Sequence, residues 1–354
     1  MSVRRTLLPT LLLPLAACGG GSSVTGPGTT PSGGTQSVTV VVFYDENGSG
    51  VLDAGEAVRV PDVEVSLGGR TGRSAPLTGR AVIEGVPTGT FTPTVTAATL
   101  PPFYAAGRGA SVRVPTTGEV AVPVVLAIGA NRPNTYLAFG DSITAGDNFP
   151  GDDSYRGLLE GRLAAQLGRA QVIDDGVGST KSNQGADRIG TSLSSNRPAY
   201  TLIMYGTNDW TQTECRKLER LDTICFTVPS LRAIVRSVKA ASSLPVLATI
   251  PPVNTFFNEL VPPQRNDWVS AADVEIRTMA AQEGAVLADV ETSMLAAAGD
   301  DLGQLFVDHL HPNARGQQII ADTFFNAILH GRAGASAASR PLLTASRRHP
   351  SIRR

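Results

Sequence analysis

The sequence predicts an α/β chain in which a doubly wound, three-layer α/β/α parallel sheet follows a small all-β sandwich. Three observations predict it. From residue 134 onward, short continuous apolar runs alternate with helical stretches, as strands buried on both faces do. Residues 37–129 carry short strand-like runs separated by Gly and Pro turns, with no helix-period segment among them. The 354 residues are enough for two domains.

The N-terminal segment is not part of either domain. Arg4 and Arg5 form a basic start, and Leu7 to Ala17 is an apolar run too short to span a bilayer. It ends in Leu15-Ala16-Ala17-Cys18, which resembles a bacterial lipobox; the resemblance implies lipidation of Cys18 and a membrane anchor. An ordinary secretory signal with a chance Cys is the alternative. Gly19 after the Cys implies outer-membrane sorting, so residues 1–18 read as the signal of an exported lipoprotein. Residues 19–36 are rich in Gly, Ser, Thr and Pro and read as a flexible tether. With Cys18 assigned to lipid, Cys215 and Cys225 remain. An oxidising compartment predicts a disulfide between them, worth about 2–3 kcal/mol for so short a loop; two buried free thiols are the alternative. The net charge of −1 gives no reason to expect a nucleic-acid partner.

In the all-β module, "SVTVVVFY" and "VEVSLGG" read as strands, and "GRAVIEGVPTGTFTPTVTA" as a hairpin-like pair around Pro87-Thr88-Gly89. "GASVRVP" and "GEVAVPVVLAIG" follow. Within the module lies "DENGSGVLDAGE". Its oxygens fall at the ligand positions of a twelve-residue calcium loop: Asp45, Asn47, Ser49, the Val51 carbonyl, Asp53 and Glu56, with Gly50 at the sharp turn. The module resembles the calcium-binding B-type repeats of bacterial surface adhesins, which implies a structural calcium ion. A polar turn rich in Asp, Asn and Gly is the alternative.

The second domain, residues 130–330, reads strand by strand. "TYLAFG", "AQVIDDG", "YTLIMYG", "LPVLATI" and "AVLADV" alternate with helices over about 154–167, 181–190, 229–242, 267–283 and 314–330. Ligands of such sheets bind beyond the carboxyl ends of the strands. Gly140-Asp141-Ser142, Gly176-Val177-Gly178-Ser179 and Gly206-Thr207-Asn208-Asp209 fall there. The basic, polar stretch 331–354 reads as a disordered tail.

Ser142 is a nucleophile only if a base reaches it. Of the four His, His330 and His349 lie at or beyond the last helix, whereas His309 and His311 sit in "VDHLHPN" just before it. Asp308 precedes His311 by three residues, a spacing that can set a carboxylate against Nδ1 and leave Nε2 for Ser142. A capping or surface histidine is the alternative.

"FGDSITAG", "IDDGVGSTKSNQGADRI", "YGTNDW" and "DHLHPN" occur in that order. Residues 134–330 thereby resemble the SGNH, or GDSL, hydrolases. The resemblance implies a flavodoxin-like sheet and a serine esterase acting through an acyl-enzyme, with Ser142, His311 and Asp308 as its catalytic residues. It also implies an oxyanion hole from the N–H of Ser142, the N–H of Gly178 or Ser179, and the Asn208 amide. Ser179 stands where the family often has glycine, and Asp174 where it often has Asn. No cofactor is implied for catalysis. The substrate is an ester: a lipid, a small acyl ester or an acetylated glycan. Phe226, Phe256, Phe257 and Trp268 are candidates to line an acyl channel, with plain core as the alternative. A non-catalytic adhesin or glycan-binding lipoprotein on the same scaffold is the competing reading.

Overall fold

The computed structural model describes residues 34–146, 153–216, 225–257 and 261–331. The leader with Cys18, the tether up to residue 33 and the tail from residue 332 lie outside the described residues.

The all-β region is built on β1 (Thr35–Tyr44), a Val-rich strand buried from Val40 to Tyr44. It pairs antiparallel with β4 (Arg80–Pro87) and parallel with β9 (Val120–Leu126). With β7 (Tyr104–Ala106) the order is β4-β1-β9-β7. A smaller sheet joins β2 (Glu64–Leu67), β3 (Arg70–Arg73) and β6 (Thr94–Val95), and a ribbon joins β5 (Gly89–Phe91) to β8 (Val112–Val114). The expected hairpin around Pro87-Thr88-Gly89 is not formed: β4 pairs with β1, and β5 with β8. Ala81, Ile83 and Val86 of β4 are buried beside the ten-residue β1, a better partner than the three-residue β5.

The second region is a five-stranded parallel sheet of order β11-β10-β12-β13-β14. Its strands are β10 (Arg132–Gly140), β11 (Gln171–Gly176), β12 (Pro198–Met204), β13 (Leu244–Ala248) and β14 (Val286–Ala288). Every residue of β12 and β13 is buried, as expected for central strands covered on both faces. Alternate residues serve opposite layers. Tyr136, Ala138, Leu202 and Val246 pack with α2 (Tyr155–Leu167), α6 (Val290–Ala298) and α7 (Ala314–His330). Phe139, Ile203 and Leu247 pack with α3 (Ser182–Asn196), α4 (Thr227–Ala240) and α5 (Gln264–Glu283).

Two of the longer helices depart from the expected set. α3 continues through Gly190 and the Ser/Thr run to Asn196, because Ile189 and Leu193 are buried in the layer it shares with α4. α6 was not expected; its start is marked by Asp289, whose carboxylate accepts from the Thr292 N–H.

The β region and the sheet share one apolar core, and the described residues from Thr35 to Gly331 form one compact unit. Tyr136 and Tyr200 stack 4.9 Å apart, Phe103 meets Tyr200 edge-on, and Tyr104 meets Tyr44. The Arg59 N–H donates to the Leu167 carbonyl at the end of α2, and Asn134 Nδ2 donates to Glu46. The N-terminal region thus braces the sheet at the amino ends of its strands, away from the carboxyl ends where ligands bind.

Candidate active site

In the order β11-β10-β12-β13-β14, the connection from β10 runs to β11 on one side and that from β12 runs to β13 on the other, so the topological switch point lies between the carboxyl ends of β10 and β12. Ser142 sits there as the first residue of α1 (Ser142–Ala145). The turn from strand to helix is very tight. A Cβ on Gly140 would lie 2.1 Å from Thr144 Oγ1, and one on Gly176 would lie 2.1 Å from the Ala145 nitrogen. Glycine at both positions lets α1 close onto the strand ends. Asp141 caps α1, its Oδ1 accepting from the Ile143 N–H at 3.0 Å.

His311 arrives from the loop before α7. Its Nε2 is 3.0 Å from Ser142 Oγ, and its Nδ1 is 2.7 Å from Asp308 Oδ2. The other Asp308 oxygen accepts the N–H groups of Leu310 and His311, both at 2.7 Å. Burial alone would raise the Asp308 pKa. The hydrogen bonds from His311 and Leu310 outweigh it and hold the carboxyl below its ordinary range. Ser142, His311 and Asp308 therefore form a continuous hydrogen-bonded row, partly exposed along its length. His309 is not part of it. Its ring faces Phe257 at 6.2 Å, and burial, opposed by Asp308 and helped by Arg265, lowers its pKa.

Two further elements bring donors alongside. Ser179 adopts φ +62°, the left-handed region that favours glycine, within the turn closed by the Thr180 N–H on the Val177 carbonyl. Asn208, after β12, donates from Nδ2 to the Thr180 carbonyl at 3.0 Å, which leaves the second hydrogen on that nitrogen for a ligand. Asp174 does not enter the site: it faces Arg156 at 3.3 Å and caps the Gly176 N–H.

Sequence reasoning missed two supports. Asp209 is fully buried and accepts from the Ser182 N–H, the Ser182 hydroxyl and the Thr227 hydroxyl, tying the Asn208 loop to the starts of α3 and α4. Its pKa is raised by burial. Arg188 donates to the Gly140 and Asp175 carbonyls and lies 4.0 Å over the Phe139 ring, which fixes the strand end beneath Ser142. An acid after an Asn in a Gly-rich turn is a readable signal for the first; a single arginine within a helix gave none for the second.

Asp141 has a consequence for stability. Burial first, and then Asp209, push its carboxyl up to about 7 against the Ile143 hydrogen bond and the His311 charge. Below about pH 4 the folded and unfolded chains both carry the proton. Between about 4 and about 7 the unfolded chain ionises while the folded chain does not, so stability falls as pH rises, by on the order of 4 kcal/mol in total. Asp141→Asn keeps the cap and removes the titration. Its urea midpoint should vary less across pH 4–7 than the parent's and exceed it at pH 8. Parallel profiles would assign the pH dependence to other groups.

The Asp45–Glu56 loop forms the expected turn, with Gly50 at φ +75°. Asp45 accepts the N–H groups of Ser49 and Gly50, and Glu56 those of Glu46 and Asp53. Asp53 accepts from Asn47 and Ser49, and the Val51 carbonyl accepts from the Ser49 hydroxyl. The oxygens suit a hard cation, but they are engaged by the loop's own donors. Among the described residues no group of three or more His, Cys, Asp or Glu side chains is placed to hold a metal. Cys215 and Cys225 are joined as a disulfide. Of the candidate aromatic residues, Trp268 is core, packed at 5.8 Å on Trp210, and Phe226 is half-buried. Phe256 and Phe257 are exposed.

A doubly wound sheet with a Ser–His–Asp row at its switch point, flanked by donors from two further loops, defines a serine-hydrolase type of site. The sequence pattern of the GDSL-like lipase/acylhydrolase family matches residues 138–319, just over half the chain. The chain belongs to that family, which hydrolyses carboxylic esters. Among solved structures it is similar to an acetylxylan esterase, Axe2, from Geobacillus stearothermophilus, with 22% identity over 56% of this chain and 95% of that one, at a TM-score of 0.45. It is likewise similar to LAE5, an alpha/beta hydrolase from the metagenome of Lake Arreo, with 22% identity over 56% and 96% of the two chains, at a TM-score of 0.44. TesA matches with 22% identity over 55% and 97%, at a TM-score of 0.44. No curated protein matches the chain.

Proposed function

We propose that this protein hydrolyses esters through an acyl-enzyme on Ser142. The observation that carries the proposal is the 3.0 Å approach of His311 Nε2 to Ser142 Oγ, with Asp308 on the opposite ring nitrogen at 2.7 Å. Asp308 holds the tautomer that keeps Nε2 as acceptor and stabilises the imidazolium that forms. Ser142 Oγ attacks the ester carbonyl while its proton passes to His311. The negative oxygen of the tetrahedral intermediate is met by the N–H groups of Ser142 and Ser179 and by Asn208 Nδ2. We assign the second backbone donor to Ser179 rather than Gly178, because Ser179 stands where the family often has glycine and takes the left-handed conformation that favours glycine. His311 returns the proton to the departing alkoxide. A water then gives its proton to His311 and attacks the acyl carbonyl, and Ser142 regains its hydrogen as the acid leaves.

Exposed apolar side chains support an apolar portion on the substrate. The Val177 N–H bonds to the Gly140 carbonyl and the Val307 N–H to the His311 carbonyl, so both of these exposed residues lie beside segments that carry the site. Phe257 adjoins His309. Lipidation of Cys18 and export belong to the same proposal, and the Cys215–Cys225 disulfide fits an oxidising compartment. Calcium in the Asp45–Glu56 loop would be structural and takes no part in the chemistry.

A fluorophosphonate tests the acyl-enzyme directly, since it stays on the nucleophile. Intact mass should show one adduct, peptide mapping should place it on Ser142, and a short-chain p-nitrophenyl ester should compete with it. A folded protein that takes no label would support the adhesin or glycan-binding reading.

A further inference from the structure

Between the loop that carries Asn208 and the loop that carries Asp308 and His311 lies a guanidinium without a counter-ion among the described residues. Arg265, in the first turn of α5, is 7% exposed. Its Nη2 donates to the carbonyl of Thr207, the residue before Asn208, at 2.7 Å. Nε is enclosed and has no hydrogen-bond partner among the described residues. Nη1 makes no hydrogen bond among the described residues. The charged groups that act on it from the Asn208 side and from the His311 side are themselves basic: Arg216 and His309. Arg216 is held against Trp210, its Nε on the Trp210 carbonyl at 2.9 Å.

Other partly buried arginines of the sheet domain are treated differently. Arg156 faces Asp174, Arg188 faces Asp175, and Arg277 faces Asp289 and Glu291. Arg265 is more deeply buried than any of these, yet no described carboxylate pairs with it. Burying a charge without a partner is unfavourable, and such a group is ordinarily paired or neutralised. Neutralisation is not available here. Burial, and then Arg216, push its pKa down only to about 10, so it stays a cation at neutral pH. A guanidinium with donors to spare is also the side chain best shaped for a planar carboxylate.

We propose that Arg265 is a specificity-determining residue that receives a carboxylate carried by the ester substrate, beside the carbonyl held at Asn208. The inference rests on the hydrolase reading above. It makes the preferred substrates anionic esters, whose charge supplies the counter-ion that no described residue provides. The competing role is purely structural: Arg265 braces the Thr207 carbonyl and so positions Asn208, which would affect every ester alike.

The test compares kcat/KM for paired esters, using the full chain and its Arg265→Met and Arg265→Lys variants. Mono-(4-nitrophenyl) glutarate carries the carboxylate on the acyl side, with 4-nitrophenyl butyrate as its neutral partner. 4-Acetoxybenzoate carries it on the alcohol side, with phenyl acetate as its neutral partner. The parent should favour the anionic member of at least one pair, and that pair identifies the side that reaches Arg265. In Arg265→Met the anionic-to-neutral ratio should fall on the order of 10²-fold, chiefly through KM, with Arg265→Lys in between. Loss of the brace lowers neutral turnover too, so the ratio is the readout. As a measurement independent of the variants' folding, glutarate should inhibit neutral-ester hydrolysis by the parent competitively, and glutaramide should not. A parent with no anionic preference and no inhibition by glutarate overturns the proposal while leaving the hydrolase reading intact. An unchanged ratio in a folded Arg265→Met overturns it as well. A parent that hydrolyses none of the four esters and takes no fluorophosphonate overturns the hydrolase reading itself.

Discussion

Ser142→Ala should leave a folded protein whose kcat for ester hydrolysis is lower by about 10⁶-fold, with KM little changed. The magnitude follows from the row of hydrogen bonds. In the proposed mechanism Ser142 Oγ forms the bond to the acyl group, and His311, held by Asp308, carries the protons of both half-reactions. Removing any one of the coupled groups removes most of what they do together, so His311→Ala should cost a similar factor and the double variant scarcely more. Folding should survive. Ser142 is half-exposed at the first position of α1, the cap is Asp141, and alanine is a good helix former there. The change in urea midpoint should correspond to less than about 0.5 kcal/mol. A Ser142→Ala protein that retains even a few per cent of the parent's kcat would move the nucleophile elsewhere.

This row was legible in the sequence because each member sits where chain geometry leaves little freedom. Ser142 follows an apolar strand that ends in glycine, and such an end is where a doubly wound sheet binds its ligands. Asp308 and His311 are three residues apart, so one turn brings Nδ1 onto the carboxylate whatever the rest of the loop does. Asn208 was legible for the same reason, in a Gly-rich turn after β12. The helices over 155–167, 264–283 and 314–330 were close to their expected spans because their apolar periodicity is sustained.

Where packing overrides local signals, the sequence was less informative. The Gly190 and Ser/Thr stretch reads as a helix end, yet burial of Leu193 carries α3 six residues further. The turn at Pro87-Thr88-Gly89 reads as a hairpin, yet the partner of β4 is β1, whose Val38 lies opposite Ile83. Arg188 and Arg265 stayed hidden for a third reason. Their roles depend on which carbonyls and rings three separate segments bring around them, and no local spacing encodes that. The choice between Gly178 and Ser179 was open for a backbone reason. A left-handed serine costs roughly 1–2 kcal/mol, and only the folded turn shows that the chain accepts it.

Asn208→Ala separates a catalytic amide from an ordinary turn residue. If Nδ2 stabilises the tetrahedral oxyanion, kcat should fall on the order of 10²–10³-fold while KM changes by no more than about threefold, because the charge it meets exists only in the transition state. The structural cost is small. Asn208 has right-handed helical φ and ψ that alanine adopts freely, and the variant loses one hydrogen bond, to the Thr180 carbonyl, worth about 1 kcal/mol. Asp209, which anchors the loop to Ser182 and Thr227, is untouched. Asn208→Asp sharpens the distinction. It keeps the shape but turns an acceptor, negatively charged at neutral pH, toward a developing negative oxygen, so its kcat should lie below that of Asn208→Ala. A turn residue predicts the opposite order, since aspartate suits such a turn better than alanine. Steady-state rates on p-nitrophenyl butyrate, read beside the urea midpoints of both variants, decide between them: Asp below Ala at equal stability assigns the oxyanion role, and Asp at or above Ala removes it.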